Sequence, residues 1–256
     1  MARLWQVLSL PLFAFLALPV LALFLRISPA QVFANLNQTQ VVQAIGLSLA
    51  TTLASTLFII IFGTPLAYSL AREGIPYRRI VDTLIDLPIV LPPAVAGVAL
   101  LMALGRRGML GELLASLGIQ VTFTPVAVML AQIFVAAPYF IKAATIGFAG
   151  IDAELEQAAA LDGASAWQVF RYVTVPLSWS ALLSGSVLSW ARALGEFGAT
   201  IIFAGNLPGR TQTMPLAIYI GFQIDLDVAL TLSVILVGFS FLALLIVRGS
   251  VRMEWT

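Results

Sequence analysis

Apolar residues in this chain run in stretches too long for a soluble core. A membrane-spanning helix needs about 20 mostly apolar residues. The pattern predicts six such helices, at residues 7–25, 41–70, 83–104, 121–141, 177–203 and 229–247. The first resembles a signal peptide only in position. No Ala-x-Ala cleavage pattern follows it and its apolar run is too long, so it is read as a retained helix. Its Pro11 and Pro19 are tolerable in a membrane. Residues 28–40 carry no charge but are rich in Asn and Gln, and they read as a loop. The second run exceeds the membrane thickness and so tilts or projects. Along it Gly46, Ala50 and Ala54 recur every four residues, a stripe that lets another helix approach closely. The third run contains Pro88, Pro92, Pro93 and Gly97, which fit either a broken helix lining a cavity or a kink in the packing.

Composition agrees with this pattern. Hydrophobic residues make up 61% and charged residues 10% of the chain, against roughly 45–50% and 25% in soluble domains. Most of the surface must therefore face something apolar, which excludes a cytosolic enzyme and a disordered tail. A net charge of +1 gives no basic field for nucleic acid. There is no cysteine and no histidine. That removes thiolate metal sites, cysteine nucleophiles and Ser-His-Asp triads. We expect no metal site and no catalytic residue. The lone lysine, Lys142, lies between Ile141 and Ala143 rather than in a Gly-Lys-Ser/Thr loop. With no nucleotide-binding motif, any ATP must be bound by a partner.

Basic residues set the orientation. With the N-terminus in the cytoplasm, the inner segments hold Arg3, Arg72, Arg78, Arg79, Lys142, Arg171, Arg248 and Arg252, and the outer ones Arg26, Arg106, Arg107 and Arg210. Both termini are then cytoplasmic. So is the longest inner connection, residues 150–176. Asp152, Glu154 and Glu156 open a helix there, where the dipole favours acids, and Gly163 stops it. Ser165 caps a second helix over residues 166–172, with Trp167, Phe170 and Val173 as an apolar stripe. Exposed aromatics on a loop mark a partner surface or pack on inner helix ends.

Gln157-Ala158-Ala159, then Gly163, then Val173-x-Val175-Pro176 resembles the Glu-Ala-Ala loop of ABC importer permeases. The spacing matches; Gln157 stands at the Glu position, with Glu156 beside it able to fill part of its electrostatic role. The resemblance implies that this loop docks on an ATP-hydrolysing subunit through Glu156, Gln157, Ala158, Ala159, Gly163, Trp167, Phe170 and Pro176. Residues 192–200, 203–206 and 208–219 resemble the molybdate and sulfate permease group, as do residues 87–97, and residues 208–219 look most like molybdate permeases.

Arg192 and Glu196 are the charges read as lying within a span, where charge is expensive and faces a pathway or a partner. Four residues apart, they share one helix face. They form either an internal ion pair or a site beside a passing oxyanion. Gly195 and Gly198 flank Glu196 and suit close packing or a bend at a gate.

The expected fold is an all-α polytopic membrane protein of about six spans, of the type I ABC importer permease fold. Residues 1–40 form a first helix and external loop, 41–248 the permease domain, and 249–256 a cytoplasmic tail. The expected function is molybdate permease, with sulfate or tungstate as alternatives and a self-contained secondary anion transporter or channel as the rival class. That rival needs coupling acids at the membrane midplane, and only Glu196 is on offer. The resemblance implies a homodimer, two cytoplasmic ABC ATPase subunits carrying Mg-ATP, and a periplasmic or lipid-anchored molybdate-binding protein in a prokaryotic inner membrane. Surrounding lipid is the remaining partner.

Overall fold

Four of the six apolar runs fold as continuous helices in the computed structural model, which describes residues 2–72 and 75–252. The chain begins with α1 (Ala2–Arg26), α2 (Pro29–Asn35), α3 (Thr39–Ala71), α4 (Arg78–Val90), α5 (Pro93–Leu104) and α6 (Gly111–Ser116). It continues with α7 (Pro125–Ala149), α8 (Ala153–Leu161), α9 (Ala166–Val169), a π-helical turn (Phe170–Thr174) and α10 (Val175–Leu177). The last four are α11 (Trp179–Leu194), α12 (Gly198–Phe203), α13 (Met214–Ile224) and α14 (Leu226–Arg252). The C-terminal tail expected at 249–256 is helical as far as Arg252, and residues 253–256 lie outside the described residues.

The third run is broken, not kinked. Leu91 precedes a proline and takes an extended conformation, φ −65° and ψ 135°. Pro93 then sits at the first position of α5, where its missing N–H costs nothing. The axes of α4 and α5 differ by 118°. The fifth run is also divided, at Gly195–Phe197, into α11 and α12. The Asn/Gln-rich stretch expected as a loop contains α2, because Ser28 and Gln31 build a capping box around Pro29. Helix α13 was not expected: its 11 residues fall well short of a spanning length.

The centre of the bundle is α3 against α7, with α11 packed on both. Small polar residues of α3 face inward. Gln132 of α7 donates to Thr51 Oγ1 at 3.1 Å and accepts from Ser55 at 3.1 Å. The Trp190 indole of α11 donates to Thr52 at 3.1 Å, and the Met214 N–H of α13 donates to Ser48 at 2.7 Å. In an apolar surrounding such paired groups bind helices firmly, because the alternative is an unpaired polar group. Among the described residues, the Gly46–Ala50–Ala54 stripe does not bring α3 to a neighbour within the chain. Gly46 and Ala50 are exposed, and a Cβ at Gly46 meets nothing within 4 Å. The polar face beside that stripe makes the contact instead. Among the described residues, helix α1 packs on α14 and leaves most of its apolar side chains uncovered, Phe15 at 70% exposure.

Candidate functional site: the exposed loop and the paired span breaks

Local caps and one glycine turn shape the loop at residues 150–176. Asp152 Oδ1 accepts from the Glu154 N–H at 3.0 Å and caps α8. Gly163 ends α8 at φ +90°, a conformation strained for any residue with a Cβ. Ser165 and Gln168 form a reciprocal capping box around α9. The helix expected over residues 166–172 then widens after Val169 into the π-helical turn, which carries the chain to Pro176 at the foot of α11.

Glu156 points back into the protein. Its Oε1 lies 2.7 Å from Arg72 Nη2 at the end of α3, and the Thr174 hydroxyl donates to the same oxygen at 2.7 Å. Gln157 and Ala158 are exposed and Ala159 is half-buried. Trp167 and Phe170 stack on one another, ring centres 5.7 Å apart, but their surroundings differ. Phe170 packs edge-on against Tyr68 at 5.3 Å and lies 6.2 Å from Phe148, so it is half-buried against the core. Trp167 is 65% exposed. With exposed Leu155, Leu161 and Tyr172 it forms the outward apolar surface of the loop. Behind that surface, a groove of about 540 Å³ runs between Trp167 and Phe170 and the Ile60–Ser69 stretch of α3.

The two span breaks lie side by side. Helix α12 packs on α5, and glycine permits the approach on both sides. A Cβ on Gly97 would sit 2.7 Å from Ile202 Cβ, and one on Gly198 would sit 2.6 Å from Pro93 Cβ. Real Cβ atoms do not come that close, so these two glycines set the distance between the broken halves. Gly195 ends α11 and is exposed. Next to it Glu196 is buried, its side chain 1% exposed and Arg192 Nη1 2.8 Å from its Oε2. Its Oε1 accepts the Ala199 N–H at 2.8 Å. The carboxylate therefore holds α11 and α12 together across the break. Arg192 remains 27% exposed with its charge balanced.

A third charged group escaped the sequence analysis. Lys142 Nζ lies 3.2 Å from Asp82 Oδ1 and 2.9 Å from Asp86 Oδ2, joining α7 to α4. Asp86 falls inside the expected third span, so a charge at that depth was overlooked there. The signal was present: Asp82 and Asp86 are four apart on one face of α4, and the only lysine of the chain needs a partner. Among the described residues no three His, Cys, Asp or Glu side chains gather as a metal site.

Residues 59–251 match the family described as binding-protein-dependent transport system inner membrane component. The chain is 41% identical over 231 residues to the molybdenum transport system permease protein ModB of Mycobacterium bovis, covering 90% of this chain and 88% of that one. It is 35% identical over 254 residues to the probable transport system permease protein NifC of Clostridium pasteurianum, covering 98% and 88%. Among solved structures, it resembles a bacterial ABC transporter that imports the acidic polysaccharide alginate, with a TM-score of 0.69 over 98% of each chain at 19% identity.

Proposed function

We propose that this chain, which belongs to the family of inner membrane components of binding-protein-dependent transport systems, is the permease subunit of an ATP-driven molybdate importer. Two copies pair about a two-fold axis to enclose the pathway. Two cytoplasmic ABC ATPase subunits dock on the exposed apolar surface of the 150–176 loops and carry the Mg-ATP. A periplasmic or lipid-anchored binding protein delivers the oxyanion to the opposite face. The permease binds no cofactor and catalyses no reaction itself. What it supplies is a gate at the paired span breaks.

The observation that carries molybdate as substrate is the 41% identity with the Mycobacterium bovis permease across nine-tenths of this chain. The charge balance at the break fits transport rather than storage. Arg192 is paired with Glu196, so the break adds no net positive charge to trap a dianion, and a permease must release what it binds. The pairings weigh against a self-contained transporter, because Glu196 is committed to Arg192 and to the Ala199 N–H, and Asp82 and Asp86 are committed to Lys142.

The test is ATP hydrolysis by the complex of this chain with its ATPase, reconstituted in lipid. Binding protein loaded with molybdate or tungstate should stimulate hydrolysis, since both are tetrahedral dianions of nearly one size. Sulfate-loaded protein should not. Stimulation by sulfate alone would replace the substrate, and no stimulation by any of the three would remove the importer assignment.

A further inference from the structure

The loop does more than face outward. It is clamped to the end of α3 at two points. One is polar: Arg72 Nη2 meets Glu156 Oε1 of α8 at 2.7 Å, and Thr174 of the π-helical turn donates to that oxygen at 2.7 Å. The other is aromatic: Tyr68 meets Phe170 at 5.3 Å and Phe148 at 5.6 Å, both edge-on. Tyr68 and Arg72 are one turn apart on α3, and the guanidinium lies over the Tyr68 ring at 5.9 Å.

This is not an ordinary surface ion pair, which contributes little. The Arg72 and Glu156 side chains are 24% and 14% exposed, and Thr174 is fully buried. A charge pair drawn out of water and held by an extra hydrogen bond is costly to break on one side. Attachment at a single point would let the loop pivot, whereas two points fix its orientation. Beyond Tyr68, α3 is bonded through Thr51, Thr52 and Ser55 into α7 and α11. Movement of the loop therefore reaches the centre of the bundle by a continuous chain of bonded groups.

We infer that the Arg72–Glu156–Thr174 clamp is the strut that makes the loop and α3 move as one body, so that Arg72 and Glu156 are positioning residues for coupling and not contacts to the ATPase. The inference rests on the importer function proposed above. The exposed Leu155, Leu161 and Trp167 then serve the partner, while Glu156 serves the span.

The test uses the assembled complex with ATPase and binding protein in proteoliposomes, and reads molybdate moved per ATP hydrolysed. Glu156→Gln and Arg72→Met should each lower that ratio by about fivefold or more while the ATPase still copurifies in normal yield. A merely structural role would lower yield and leave the ratio of what assembles unchanged. The chain has no cysteine, so Arg72→Cys with Glu156→Cys can be bridged by a short thiol crosslinker. Bridging should restore most of the lost coupling. If bridging blocks transport, the loop slides over α3 during the cycle and the strut is refuted. Single variants with an unchanged ratio refute it as well. If a single variant does not assemble, the bridged protein decides. A wild-type complex that moves no molybdate at all would instead count against the importer function, leaving the two failures distinguishable.

Discussion

Glu196 sits where one helix ends and another begins, and one carboxylate meets both needs. It neutralises Arg192 and it accepts the Ala199 N–H. The pairing with Arg192 was legible, because a spacing of four puts two side chains on one helical face. The second bond was not, since it exists only because α11 stops at Gly195. The tie between Arg72 and Glu156 was hidden more deeply: the residues are far apart in the chain and no local spacing joins them. Unequal losses follow for the Arg192–Glu196 pair. Arg192→Met strands a carboxylate that is 1% exposed, and should cost about 2 kcal/mol, less than a fully buried pair because the Ala199 N–H remains. Glu196→Gln keeps an acceptor there and should cost about 1 kcal/mol. The double variant should recover at least about 1 kcal/mol of the summed loss. Thermal melting of the purified complex measures this cycle. Strictly additive losses would remove the pair and return Arg192 to the list of contacts for the passing anion.

Helices were legible where the apolar run was long and unbroken, as in α3, α7 and α14. They were misjudged where length failed as a guide. Prolines at 88, 92 and 93 marked a disturbance in the third run, but prolines occur in both kinks and breaks. The extended Leu91 and the glycine-mediated contact of α5 with α12 decide for a break. The small-residue stripe of α3 misled in another way: periodicity finds a face but not what covers it. In the loop, helical spacing correctly put Trp167 and Phe170 close together, yet it could not tell which one packs inward. Their roles now separate. Phe170→Ala removes a ring packed against both Tyr68 and Phe148, and should destabilise the subunit by about 2–3 kcal/mol, at or below the low end for a buried phenylalanine because it is only half-buried. Trp167→Ala should leave melting nearly unchanged and weaken ATPase association by about 2 kcal/mol, as truncation of an interface anchor does. Melting of the subunit and copurification of the ATPase read the two effects independently. Equal melting losses for both variants would contradict the division.

For the molecule as a whole, composition alone placed the chain in a membrane, and the resemblance of the loop placed it in its family. What no pattern disclosed is how two interrupted spans are brought together, because that contact joins residues near 95 to residues near 200. The distribution of basic residues predicts an orientation with both termini inside, and that prediction has a direct check. Ser165 and Gln38 are both exposed, and single cysteines there enter a cysteine-free background. In intact cells an impermeant thiol reagent should label Gln38→Cys and spare Ser165→Cys; the reverse pattern would invert the topology. The central claim is that this subunit carries molybdate inward at the expense of ATP held by a partner. Radiolabelled molybdate uptake into proteoliposomes tests it most directly, with the complex oriented so that its ATPase faces the ATP supply and the binding protein is added on the opposite side. Uptake should require ATP, the ATPase and the loaded binding protein together, and should be lost when any one is omitted. Uptake by this chain alone, driven by an ion gradient without ATP, would contradict the account.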